Sequence, residues 1–115
     1  AFRQQLLERW GTCAVTGCAN LALVRASHIK PWADCDASEA RDPANGLLLS
    51  AGLDAAFDAG LITFAPDGAL VVSPWLSQRD ALATGIPLEG RLREAAAESA
   101  RYMEYHRHYV FREAA

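Results

Sequence analysis

The order of patterns between residues 22 and 60 constrains this chain most. A β-prone run ends in "VRASH" at His28. A polar stretch follows, with Pro31 and Pro43 near its ends. Then comes a short apolar run, "GLLLS", and directly after it "AGLDAAFDAG", closed by Gly60. The first run reads as a strand over about 22–28. The polar stretch reads as a loop, its acids Asp34, Asp36, Glu39 and Asp42 a solvated surface. "GLLLS" suits a buried strand, and the next segment a short helix that the glycine ends. Strand, loop, strand and helix in that order make a ββα unit. Such a unit is a plausible frame for a small metal-dependent site.

The flanks add helices and one hairpin. Phe2, Leu6, Leu7 and Trp10 recur at helical spacing, so residues 2–10 predict an amphipathic helix stopped by Gly11. "TCAVTGCAN" reads as a turn or knuckle. "LITFAPDGALVVS" is two β-prone runs around Pro-Asp-Gly, a hairpin. A short helix is expected near 76–83. A long one is expected over 91–113, which is rich in Ala, Glu and Arg and free of Gly and Pro. The expected fold class is α+β: a ββα core with flanking helices and a hairpin.

With 115 residues the chain is one small domain, 1–115. It does not begin with Met, and the expectation is a piece of a longer protein. No run approaches the ~18 apolar residues of a membrane span, and no signal peptide opens the chain. A soluble, cytoplasmic protein without membrane association is expected. The net charge of −3 argues against a general nucleic-acid coating protein. It leaves room for an enzyme with a local basic strip. Three cysteines, an odd number, argue against a disulfide framework. Cys13 and Cys18 are spaced C-x4-C with no second close pair, so a four-ligand zinc site is disfavoured and structural thiols are expected.

Hydrolysis of a phosphodiester needs a base near neutral pH, for which histidine is suited. It also needs a cation to stabilise charge on the phosphate. Hard cations take carboxylates and water. The ββα region supplies these types. His28 ends the first strand, Asn45 opens the second, and Asp54 and Asp58 stand at i, i+4 on one helix face. Each has a structural alternative: a packed histidine, a turn asparagine, and surface carboxylates.

"CAVTG", "ASHIKPW", "DPANGLLLS", "LDAAFDAGLITF" and "YHRHYVF", in that order, resemble HNH endonucleases of the restriction-enzyme-like group. The resemblance implies a ββα-metal fold, DNA as substrate, one divalent cation and an activated water. By that resemblance His28 is the general base, and Asn45 orients it or joins the metal site. Asp54 takes the last histidine position as a metal ligand. Asp in that place favours Mg²⁺ or Mn²⁺ over softer metals. Many family members carry a ligand just before the base; here that residue is Ser27, for which Asp58 is the candidate substitute.

Phosphate contacts are expected from Lys30, two residues past the base, and from Arg25 on the same strand. The final segment offers Arg101, Arg107 and Arg112 with His106 and His108, among Tyr102, Tyr105 and Tyr109. It reads either as a DNA-facing helix, with His106 near the ββα site, or as a helix that packs its tyrosines. Nothing in the sequence reads a base, so a further DNA-recognition domain is expected in the full protein. Two alternatives stand beside this reading: a catalytically degenerate DNA-binding or interaction module, and a toxin-like, non-selective nuclease.

Overall fold

The computed structural model describes residues 1–114. In chain order the elements are α1 (Phe2–Trp10), β1 (Val24–His28), α2 (Ala37–Arg41), β2 (Gly46–Ser50) and α3 (Ala51–Asp58). They continue with β3 (Ile62–Phe64), β4 (Leu70–Val72), α4 (Gln78–Ala83) and α5 (Ala100–Tyr105). A π-helical turn, His106–Val110, follows α5.

The ββα unit forms as the patterns require. β1 and β2 pair antiparallel, from Val24 opposite Ser50 to His28 opposite Gly46. Leu47, Leu48 and Leu49 are all buried, because α1 and α3 both pack against this two-stranded sheet. α3 turns its Leu53, Ala56 and Phe57 into the core. That leaves Asp54 and Asp58 on its outer side. Burying three leucines and a phenylalanine contributes about 2 kcal/mol or more per side chain before entropy is counted. Gly60 ends the helical run with φ 74, and a Cβ there would lie 2.1 Å from the Val110 carbonyl oxygen. Glycine serves both the left-handed turn and the close crossing.

The knuckle is fastened by sulfur. Cys13 Sγ accepts from the backbone N–H of Thr16 and of Ser50, at 3.4 and 3.3 Å. All three cysteines are free thiols. Among the described residues no helix is long and apolar enough to cross a membrane.

Two segments differ from expectation. The loop after β1 contains α2, whose entry is a capping box: Asp36 accepts from Glu39 N at 2.8 Å, and Glu39 accepts from Asp36 N at 3.0 Å. The four acids of this loop have structural work beyond solvation. Asp36 and Glu39 cap α2, Asp42 accepts from Tyr102 OH at 2.6 Å, and Asp34 accepts from Tyr105 OH at 2.9 Å.

The long terminal helix is replaced by a much shorter one. Residues 91–96 are not helical, because their backbone is paired elsewhere. Arg91 bridges Ala69, Leu92 N donates to Gly68 O, and Arg93 N donates to Ala14 O. The Arg93 guanidinium also donates to the carbonyls of Trp10 and Cys13, both at 2.8 Å. These tertiary bonds override the helical propensity of the alanines and glutamates.

Candidate active site

His28 stands where β1 ends. Its Nε2 lies 2.8 Å from the Ala40 carbonyl oxygen. A carbonyl only accepts, so Nε2 is the donor, and Nδ1 is the ring nitrogen left for other contacts. α2 supplies that carbonyl, so the short helix hidden in the loop holds the histidine through Nε2.

Asp54 and Asp58 line the same open cleft as His28. Burial first, and then the negative charge of Asp54, push the Asp58 carboxyl up to about 6, against the opposing influence of His28. Two carboxylates this close repel one another, and a cation between them would relieve that repulsion. Ser27 also lines the cleft. It is 2% exposed, and its hydroxyl has no hydrogen-bond partner among the described residues.

Among the described residues no group of three or more His, Cys, Asp and Glu is arranged to hold a metal ion. The donor set in the cleft, two carboxylates and one imidazole, is sparse and mostly oxygen. It fits Mg²⁺ or Mn²⁺, which are satisfied by one or two carboxylates together with water and substrate phosphate. It does not fit a closed four-ligand zinc site.

Asn45 departs from the expected direct role. It is fully buried and absent from the cleft lining. Its Oδ1 accepts from Lys30 N at 2.8 Å, and its Nδ2 donates to Glu39 O at 3.2 Å and faces Cys35 Sγ at 3.4 Å. The amide thus holds the end of β1 to α2. Glu39, which accepts from this amide, is the neighbour of Ala40, whose carbonyl faces His28, and the amide itself is buried away from the cleft.

The basic residues divide. Arg25 lines the cleft, with Nη1 bonded to the carbonyls of Ala22 and Val24. Lys30 instead pairs with Glu39 at 3.0 Å, both side chains less than one-fifth exposed, and sits 4.9 Å from the Tyr105 ring centroid. Arg107 is absent from this cleft and donates to the Phe64 carbonyl at 2.8 Å. Arg101 lies near Asp42 and Glu39, and Arg112 donates to Ala59 O.

His106 does not face a ligand. It is 1% exposed and stacked on Phe57 at 3.8 Å. Nε2 donates to the Phe57 carbonyl and Nδ1 accepts from the Thr63 hydroxyl, each at 2.8 Å. Burial, the largest influence, lowers its pKa to about 4. It is a neutral core histidine, which corrects the expectation of a DNA contact.

Two cleft residues were missing from the sequence reading. Arg3 reaches the cleft from α1, and Trp32, 70% exposed, stands in its wall after Pro31. The "HIKPW" motif contained the tryptophan. For Arg3 no signal existed, because the docking of α1 is set by tertiary packing.

The arrangement defines a class: a small α+β domain whose ββα unit gathers one histidine and two carboxylates in an open, solvent-accessible cleft. Residues 13–65 match the family described as HNH endonuclease. That segment is a little under half of the chain and holds β1, α2, β2, α3 and β3. Over that segment the chain is similar to HNH endonucleases, which suggests nuclease activity in general. No curated protein matches the chain.

Proposed function

We propose that the protein is a DNA endonuclease dependent on one divalent cation, Mg²⁺ or Mn²⁺, and serves as the cleavage domain of a restriction-type enzyme. The observation that carries this is the meeting of His28, Asp54 and Asp58 in one cleft of the family-matched ββα unit.

In this mechanism His28 Nδ1 takes a proton from a water molecule while Nε2 stays bonded to Ala40 O. The water oxygen attacks phosphorus, the bond to the leaving oxygen breaks, and that oxygen is protonated from solvent. Asp54 and Asp58 would hold the cation. When bound, the cation supplies charge stabilisation at the phosphate and leaving oxygen. Arg3 and Arg25 meet neighbouring phosphates. Trp32 offers an aromatic face to the DNA.

The net charge of −3 makes for weak general attraction to DNA. Target choice in this reading belongs to a separate DNA-recognition domain or chain. A second reading, a degenerate DNA-binding module, draws support from the absence of a three-ligand metal group among the described residues.

Incubating supercoiled plasmid with the protein and Mg²⁺ or Mn²⁺ separates the two. Nicked or linear product that disappears with EDTA is expected. A mobility shift without cleavage under any of these metals would favour the degenerate module.

A further inference from the structure

Phe2 lies flat on the imidazole of His28. The ring centroids are 4.1 Å apart and the planes differ by 2°. Phe2 opens α1, outside the family-matched segment 13–65. The contact therefore joins the ββα unit to a helix that the family match does not include.

The opposite strand is shaped to admit this ring. Gly46 pairs with His28 across the sheet. A Cβ at Gly46 would fall 2.6 Å from Phe2 Cζ and 2.8 and 2.9 Å from the Leu6 methyl carbons. The backbone of Gly46 is extended, at φ −144 and ψ 153, which any residue adopts. Glycine is needed for the approach of α1, not for a turn. Leu6 is fully buried and anchors the helix one turn beyond Phe2.

One hydrogen bond, from Nε2 to Ala40 O, leaves an imidazole free to roll about the N–H···O axis. A parallel aromatic ring against its face removes that freedom. We propose that Phe2 is a positioning residue for His28: the stack fixes the imidazole plane so that Nδ1 is held toward the cleft, and α1 is thereby part of the active site. This rests on His28 acting as the base.

Three variants test it. Phe2→Leu keeps an apolar side chain at the site and removes the flat ring. Phe2→Tyr keeps the ring. Gly46→Ala acts from the other side, since the added methyl displaces Phe2.

The first readout needs no catalysis. In NMR spectra the stacked ring shields the His28 imidazole protons. That shielding is expected to vanish in Phe2→Leu, persist in Phe2→Tyr and shrink in Gly46→Ala. The second readout is plasmid cleavage with Mn²⁺. For Phe2→Leu and Gly46→Ala kcat is expected to fall about tenfold or more with KM unchanged, as misplacement of a reacting group does. Phe2→Tyr is expected to restore it.

If the wild type cleaves and a folded Phe2→Leu protein cleaves equally fast, the positioning role is overturned and the nuclease reading stands. If the shielding is present and the wild type cleaves nothing, the nuclease reading fails and takes the positioning role with it.

Discussion

His106 makes the fold sensitive to mild acid, and the size of the effect follows from its surroundings. The imidazole sits between Phe57 and Thr63, with Nε2 donating and Nδ1 accepting in the neutral form. Burial first, and the nearby positive charge of Arg107, lower its pKa from the ordinary 6.5 to about 4, against the opposing hydrogen bond to Phe57. An unfolded chain takes up a proton as the pH falls below 6.5, whereas the folded chain resists until about 4. The group's contribution is therefore complete above the ordinary value and is lost as the pH falls through that window. Each pH unit is worth about 1.4 kcal/mol. Between pH 7.5 and 4.5 the loss from this residue comes to about 2.5 kcal/mol.

Urea unfolding at the two pH values measures it, with His106→Gln as the control. Glutamine retains a donor and an acceptor but does not titrate. The variant starts less stable because it loses the stack on Phe57. Its loss of stability on acidification, however, is expected to be about 2.5 kcal/mol smaller than that of the wild type. Carboxylates protonate in both proteins and cancel in the comparison. Equal losses in the two proteins would refute the neutral, buried assignment.

Other consequences follow from particular contacts. Asn45→Ala, which strands Lys30 N and Glu39 O, should lower stability by about 2–4 kcal/mol in urea unfolding and also slow cleavage, because α2 carries the carbonyl that holds His28. Arg25→Gln and Arg3→Gln should each weaken DNA binding across sequences and flatten the dependence of log K on log salt by about one, read by fluorescence anisotropy. Lys30→Gln should lower the melting temperature through the lost Glu39 pair and leave that salt slope unchanged. An unaltered melting temperature with a flattened slope would return Lys30 to the DNA surface.

The ββα unit was legible because each piece carried its own local signal. β1 ended at a polar loop, the leucines of β2 formed a short unbroken apolar run, and α3 was bounded by Gly60. The i, i+4 spacing of Asp54 and Asp58 then put both carboxylates on one face, and packing turned that face to the cleft. α2 escaped notice because five residues give no periodicity. Its signal was chemical: Asp36 followed three residues later by Glu39.

The segment after Gly90 misled for the opposite reason. Its composition favours helix, but Leu92 and Arg93 find backbone partners at Gly68 and Ala14. His106 looked available beside arginines and tyrosines, yet its partners Phe57 and Thr63 lie more than forty residues away in sequence. Arg3 and Phe2 enter the site only through the docking of α1. The family-matched segment thus contains His28, both carboxylates and the Ala40 carbonyl bonded to His28, while Phe2 and Arg3 come from outside it.

In the proposed reaction His28 activates water in a metal-dependent hydrolysis. The most direct measurement is the first-order rate of plasmid cleavage with Mn²⁺ for wild type and for a folded His28→Ala protein at equal DNA occupancy. A fall of about a hundredfold or more is expected, the contribution of a positioned general base. Equal rates for the two proteins would contradict it.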